Sequence, residues 1–325
     1  MHRAPKGTAV RGIALRSVLW VQRAEHFTVL AASAVLVLTA CGCMKPQAPV
    51  RLDPLPLRDA AAVVNANTAR IEGTLRASGN VDGYVTDANG LKRHFDVDGV
   101  LFYLRPRYLR LDLKKFGERQ LLLGSNVELY WVYDKQNDEY HCGRHGLDDG
   151  EAAAFPIRAD QVLDALGLSW IGDRAADPGD GAGAEDVPED AAGRHRAGRN
   201  YVQRVLEDHQ ELLFLARDEE GWSFIEKEYW LDRFAPRLIR RVIFRDADGV
   251  VEMESLLNDY RPMSPSGPFL PTSMTASWPE KGATMRFRIG KWESHLEVTP
   301  DGPQFAPPPQ CDAPGFPGAT SSRPG

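Results

Sequence analysis

The chain has 325 residues, 43% of them hydrophobic, and a formal net charge of −6. This length and apolar content suffice for a buried core in one large domain or two small ones. An acidic chain repels phosphate backbones, and no basic stripe interleaved with aromatic residues is present, so nucleic acid is excluded as an expected partner.

The first forty residues have the pattern of a secretion signal. A basic leader precedes an apolar run, FTVLAASAVLVLTA, that extends from Phe27 to Ala40. The run is shorter than the roughly 20 residues needed to span a bilayer, but it matches the apolar core of a signal peptide. It ends in Leu38-Thr39-Ala40-Cys41, which resembles the lipobox of bacterial lipoproteins. We expect a lipoprotein signal peptide over residues 1–40 and lipidation of Cys41.

The segment after the signal is expected to join a membrane to a folded domain. Each buried CH₂ of an acyl chain contributes about 0.8 kcal/mol, so two or three chains on Cys41 anchor a protein stably. Residues 41–56 are Pro-rich and are predicted to form a lipidated tether. Gly42 stands where, in Gram-negative lipoproteins, an acidic residue favours the inner membrane. By that resemblance we expect a lipid-anchored envelope protein, at the outer membrane and facing the periplasm.

Three further cysteines remain: Cys43, Cys142 and Cys311. Export to an oxidising compartment allows a Cys142–Cys311 disulfide, but three thiols leave one over, and sequence alone leaves the pairing open.

A short helix and then a β region follow the tether. Helical spacing of apolar residues predicts a helix from Leu57 to Thr68. From Ile71 to Cys142 the period changes to two, with Leu109, Leu111 and Leu113 alternating with charged residues. Turn signals at Asp82-Gly83, Asn89-Gly90 and Asp98-Gly99 suggest an antiparallel meander.

The second half repeats this organisation. Helical spacing predicts a helix from Ile157 to Leu166 with Gly167 as its C-terminal stop. Residues 173–199 are acidic and poor in large apolar residues, which predicts a mobile insert. Alternating strands resume near Asn200, and a Pro- and Gly-rich tail over 299–325 is predicted to be disordered.

Many alternating strands, short turns and two helices predict one domain over residues 57–298. The expected class is mostly β with α: an unclosed antiparallel β-barrel, or strongly curved sheet, covered by a few short helices.

Several segments resemble the LolA/LolB-like superfamily, which comprises the periplasmic lipoprotein carrier and the outer-membrane lipoprotein receptor. The similar segments are Ala69 to Gly73, Tyr103 to Leu111, Leu123 to Ser125, Glu128 to Tyr133, Leu270 to Thr272 and Met285 to Phe287. The resemblance covers residues 57 to 295 and implies an open antiparallel barrel whose apolar concave face takes up acyl chains. The acidic insert and the Pro-rich tail depart from that family.

Candidate catalytic and metal-binding patterns are weak. His141, Cys142 and His145 lack the second ligand pair of a structural zinc site. The segment from Gly167 to Gly172 has a serine between glycines but not the spacing of a nucleophile elbow. Glu226, Glu228, Glu252 and Glu254 recur at every second residue, which is typical of solvated strand faces rather than of an acid–base pair. The sequence predicts no enzyme, no cofactor and no metal.

The hypothesis that follows is a lipid-binding hollow. Acyl chains of a lipid or a lipoprotein are expected to lie against inward-facing apolar residues of the sheet and of the second helix: Leu109, Leu111, Leu113, Leu129, Trp131, Leu163, Leu166, Met253, Met285 and Phe287. The methionines offer an adaptable lining. The alternative is a non-catalytic envelope interaction or sensor lipoprotein with a filled core, whose acidic insert meets a protein partner.

Overall fold

The computed structural model describes residues 50–86, 89–135, 138–145, 159–171, 200–218, 220–295 and 297–312. The predicted signal peptide, Cys41 and the acidic insert 173–199 lie outside these residues.

The described part of the chain is built around one antiparallel sheet of thirteen strands. In chain order, β1 to β6 are Thr74–Thr86, Lys92–Leu104, Tyr108–Lys115, Glu118–Ser125, Leu129–Asp134 and Glu139–Arg144. The strands β7 to β11 are Asn200–Val205, His209–Arg217, Ser223–Asp232, Ile239–Arg245 and Val251–Asn258. A separate pair consists of β12, Arg261–Pro262, and β13, Phe269–Leu270; β14 and β15 are Ser273–Trp278 and Ala283–His295.

The large sheet is a meander that stays open. Its strand order is β6-β5-β4-β3-β2-β1-β15-β14-β11-β10-β9-β8-β7, so β1 pairs with β15 and the two edges are β6 and β7. This arrangement confirms the predicted class, a mostly β, unclosed antiparallel sheet with few helices.

Alternation sets the two faces of the strands, as the sequence predicts for β3. Leu109, Leu111 and Leu113 are buried in the main apolar core. The turns predicted at Asp82-Gly83 and Asp98-Gly99 are not turns in the structure. Gly83 lies within β1 and Gly99 lies within β2. A Cβ atom on Gly83 would lie 2.8 Å from the Phe95 ring, so these glycines mark close packing rather than turns.

The first helix, α1, spans Leu57–Ala69 and agrees with its predicted bounds within one residue. It buries Ala60, Val64 and Thr68 against the sheet. Asp59 lies in its first turn, where a carboxylate interacts favourably with the helix dipole.

The second helix, α2, spans Ala159–Ala165 and ends as the sequence predicts. Gly167 adopts a left-handed conformation with φ of 66°. The amide of Leu168 donates to Leu163 O at 3.0 Å and that of Gly167 to Asp164 O at 2.9 Å, which is the Schellman pattern. Neither α1 nor α2 is long and apolar enough to cross a membrane, and the described residues contain no other helix that is.

Polar contacts fix α2 inside the curve of the sheet. Asp164 forms an ion pair with Lys227 and accepts a hydrogen bond from the Tyr229 hydroxyl at 2.7 Å. Ser255 donates to the carbonyl of Ala165 at 2.8 Å. Because Lys227 and Tyr229 lie on β9 and Ser255 lies on β11, α2 is held to that half of the sheet.

The two helices are also tied to each other. The side chain of Asn65 accepts from the amide of Ile171 at 2.8 Å and donates to its carbonyl at 2.7 Å. The segment that follows α2 is therefore bound to α1 through both of its backbone groups.

Both ends of the predicted domain extend further than expected. Arg51 forms a β-bridge with Phe234, and Leu55 exchanges hydrogen bonds with Gln203 and Gln210. The last residues of the predicted tether, 50–56, are therefore part of the fold. Residues 41–49 lie outside the described residues.

The start of the predicted disordered tail also packs on the sheet. Just before the tail, the Thr74 hydroxyl donates to Val298 O at 2.8 Å; within it, Phe305 is buried with its ring centroid 5.5 Å from that of Tyr108. Cys311 forms a disulfide with Cys142 of β6. The expectation of disorder is thus corrected for 299–312, because buried contacts and a covalent bond hold this segment; residues 313–325 lie outside the described part.

Candidate functional site

An apolar cavity of about 380 Å³ lies at one end of the curved sheet. Its wall is formed by six strands that are consecutive in the sheet order, from β4 through β1 to β14. The lining residues lie near the turns that follow β1, β3 and β14, and we call this the hairpin end. They are Tyr84, Val85, Phe95, Val97, Leu113, Lys115, Gln120, Leu121, Trp278, Ala283, Thr284 and Met285.

Two of the hairpins that surround the cavity are joined at their tips. The Thr86 hydroxyl donates to the carbonyl of Gly282 at 2.7 Å, which links the end of β1 to the turn after β14. Gly282 has a φ of 53°, a conformation that favours glycine in this turn. These contacts fix one side of the cavity mouth.

Only two of the predicted lipid-binding residues, Leu113 and Met285, line this cavity. Six others belong to the packed core: Leu109, Leu111, Leu163, Leu166, Met253 and Phe287. Leu163 and Leu166 do not cover a hollow there, because the side chains of α2 themselves fill it. The crevice between α1, the end of α2 and the sheet measures about 10 Å³, scarcely the size of one water molecule.

The remaining two predicted residues, Leu129 and Trp131, lie on the opposite face of β5. Tyr130 and Val132 face the main core, whereas Trp131 packs with the Cys142–Cys311 disulfide and against Leu129. The alternation in β5 was predicted correctly, but the inward face was assigned to the wrong set of residues. Both faces are apolar because the C-terminal segment covers the outer one.

The outer surface of the wall carries an ion pair next to the cavity strands. Arg119 of β4 donates to both oxygens of Asp112 on β3, from Nε at 3.0 Å and from Nη2 at 3.2 Å. Burial raises the pKa of Asp112, but the hydrogen bond and charge of Arg119, with the charges of Lys114 and Arg110, outweigh burial and lower it. The pair therefore braces β3 against β4 in its ionised form.

The side chains considered as catalytic or metal-binding candidates make structural contacts in the fold. The sulfur of Cys142 is bonded to Cys311, and His145 Nε2 lies 3.0 Å from both Ser125 Oγ and Asn126 O. Glu228 is not on a solvated face as predicted: it is 4% exposed and paired with Arg245 at 2.7 Å. No group of three potential metal-ligating residues occurs within the described ranges.

Most of the cavity lining was missed by sequence reasoning. Periodicity identifies which side chains face inward, but it does not show where along a strand the helices stop covering them. Val85, Phe95, Trp278 and Ala283 lie close to the hairpin turns, and no residue of α1 or α2 is among the described lining residues. Their proximity to the hairpin turns is the signal that could have distinguished them from core residues.

Comparisons with known proteins give matches at the level of structure only. No family model matches the sequence, and a search of curated proteins finds no match. A domain from Vibrio parahaemolyticus named for outer membrane lipoprotein sorting is similar at 11% identity and a TM-score of 0.45, over 75% of this chain and 95% of the other.

Two further solved structures have a comparable degree of similarity. A DUF1329 family protein from Desulfovibrio piger matches at 9% identity and a TM-score of 0.44, over 76% of this chain and 96% of the other. A LolA superfamily protein from Nitrosomonas europaea matches at 7% identity and a TM-score of 0.43, over 78% and 97% of the two chains.

Proposed function

We propose that this protein is a membrane-anchored envelope lipoprotein that binds an acyl chain of a lipid or lipoprotein in the cavity at the hairpin end. The observation that carries the proposal is the cavity itself. Its volume of about 380 Å³ falls in the usual range for ligand pockets, roughly 300–1,000 Å³. Its walls consist mainly of aliphatic and aromatic side chains, which favour an apolar ligand over water.

The location of the cavity supports uptake of a ligand from outside. The helices fill the middle of the sheet, whereas the hairpin end is lined by residues such as Val85 that are partly exposed to solvent. An acyl chain can then enter between the hairpins while α1 and α2 stay in place. Binding needs no covalent chemistry, and we propose a carrier or receptor role rather than catalysis.

The sequence supports the location. A signal-like leader that ends at Cys41, with Gly42 after it, is the basis for proposing a lipid anchor at the outer membrane, facing the periplasm. Labelling cells with a radioactive fatty acid tests this part: the wild-type protein should incorporate label, and Cys41→Ser should not. Label that persists in Cys41→Ser would contradict anchoring at this residue.

Binding is tested with the full chain carrying Cys41→Ser and the neutral fluorescent probe N-phenyl-1-naphthylamine. The probe should bind, and Ala283→Trp should weaken its affinity at least about tenfold, because the larger side chain occupies the cavity. Val205→Trp is the matched control, since Val205 is exposed on β7, away from the cavity. Equal probe binding by all three proteins would overturn the assignment of the site.

A further inference from the structure

One charged side chain lines the otherwise apolar cavity. Lys115, at the end of β3, is the single lining residue with a charged group among the described residues, and no described lining residue carries a carboxylate. Gln120 of β4 adds an amide, Tyr84 and Thr284 add hydroxyls, and the other described lining residues are aliphatic or apolar aromatic. A pocket of this kind recognises a ligand by one apolar body and one polar group of fixed position.

Lys115 has no carboxylate partner among the described residues. Its cross-strand neighbour is Glu118, but the carboxylate of Glu118 lies 2.6 Å from the ammonium of Lys135. The adjacent Lys114 is 3.7 Å from Asp112 on the outer face, so that acid is also engaged. The ammonium of Lys115 thus remains available at the cavity mouth, 5.9 Å from the centroid of the Phe116 ring.

Two further lysines lie on the hairpins next to the cavity. Lys92 is the cross-strand neighbour of Thr86, whose hydroxyl binds the turn that contains Lys281. Lys92 and Lys281 are exposed, and neither forms an ion pair with a described residue. The turn that contains Lys281 also carries one carboxylate, that of Glu280. Asp87, next to Thr86, lies outside the described residues. The described residues of these hairpins therefore include three exposed lysines outside any ion pair, against the carboxylate of Glu280 and that of Glu118, which is paired with Lys135, a balance that attracts anions.

We propose that the ligand is an anionic amphiphile: its alkyl chain occupies the cavity, and its carboxylate or phosphate group meets Lys115 at the mouth. This deepens the proposed function and rests on it. The proposal distinguishes the ligand from a neutral lipid, for which an unpaired ammonium offers no matching charge. It also gives the bound chain one orientation, with the head group at the hairpin end.

The test is displacement of N-phenyl-1-naphthylamine from the full chain carrying Cys41→Ser, at low ionic strength and below the micelle concentration of each ligand. Tetradecanoate should displace the probe at a concentration about fivefold lower than its neutral methyl ester, a difference typical of one exposed ion pair. In Lys115→Met the two ligands should become equivalent. Tetradecyl phosphate, as a third ligand, distinguishes a phosphate-bearing lipid from a fatty acid.

Lys114→Met is the matched control, because it removes an identical charge from the neighbouring residue on the outer face and should keep the preference. Equal displacement by the acid and the ester in the wild-type chain would overturn the anionic ligand but leave acyl-chain binding intact. A preference that survives in Lys115→Met, or is lost equally in Lys114→Met, would also overturn it. Failure of the probe to bind at all would reject the proposed function together with this inference.

Discussion

At the scale of single residues, the structure distinguishes charges that stabilise the fold from charges that remain available. Asp112 and Glu228 are buried acids, and each is matched by an arginine. Lys115 lines the cavity, and the ammonium of Lys92 lies 4.4 Å from the ring centroid of the lining residue Tyr84; neither has such a match among the described residues. Buried carboxylates need a partner because desolvation is costly, whereas an exposed ammonium is solvated by water.

The ion pair of Asp112 leads to a prediction about acid stability. Its pKa lies below the ordinary value of 3.8, so the pair stabilises the fold above that pH and loses its effect as pH falls through the native pKa. Asp112→Asn should lower the free energy of unfolding by about 1–2 kcal/mol at pH 7, as expected for losing charge-assisted hydrogen bonds. Urea unfolding measured at a series of pH values should show this deficit shrink below about pH 4.

The control for Asp112 is Glu252→Gln, which removes an exposed carboxylate from β11 and should change stability little. A deficit that stays constant from neutral to acid pH would show that the lost contribution is packing rather than charge.

At the scale of elements, α2 is a short helix that depends on its surroundings. The seven described residues of α2 are too few for an isolated helix to be stable in water, so its sheet contacts must hold it. The ammonium of Lys227 lies within 5.6 Å of the ring centroids of Phe214, Tyr229 and Phe244 as it pairs with Asp164. This buried pair fixes the helix in the concave side of the sheet.

Removing one member of the Asp164–Lys227 ion pair should destabilise the protein more than removing both members. Lys227→Met leaves the buried carboxylate of Asp164 without its cation and should destabilise the protein by about 3 kcal/mol. The double variant Lys227→Met with Asp164→Leu should recover much of the loss, because no uncompensated charge remains. Urea unfolding provides both values, with Lys291→Met as a control that removes one exposed ion pair, to Glu293, and should cost no more than about 1 kcal/mol; equal losses in the single and double variants would contradict this account.

The sequence predicted elements better than it predicted the site. The sequence correctly predicts the helical spacing of α1 and α2, the alternation of β3 and the helix end at Gly167. Each of these features depends only on residues close together in the sequence. The inward face of β5 could not be determined, since a segment about 170 residues away covers its outer face. The cavity could not be located for a related reason: it depends on where helices distant in sequence stop covering the sheet.

At the scale of the whole molecule, the C-terminal segment connects distant parts of the sheet. It leaves the end of β15, passes Thr74 and Tyr108, and reaches the edge strand β6 through the Cys142–Cys311 disulfide. An edge strand pairs on one side only, so it gains from a second attachment. The disulfide closes a loop across a sequence separation of 169 residues, which strongly restricts the unfolded chain.

Removing this disulfide should destabilise the protein without emptying the cavity. Cys142→Ala with Cys311→Ala should lower the free energy of unfolding by about 2–4 kcal/mol. Reductant should lower the stability of the wild-type chain by a similar amount and leave the double variant unchanged. Probe binding should persist in the variant under native conditions, because the cavity lies on β1 to β4, β14 and β15 rather than on β6. Insensitivity of the wild-type chain to reductant would contradict the stabilising role.

The count of strands has a geometric consequence. Among the described residues the large sheet has thirteen strands and its neighbours run in opposite directions, so the two edge strands, β6 and β7, point the same way. A closed barrel in which all neighbouring strands are antiparallel requires an even number of strands. Because β6 and β7 are parallel to each other, this sheet cannot close by pairing them in the antiparallel way that joins its other strands. One added strand that ran antiparallel to both edge strands would restore the alternation, so the opening between β6 and β7 follows from the odd number of strands in the described part of the chain.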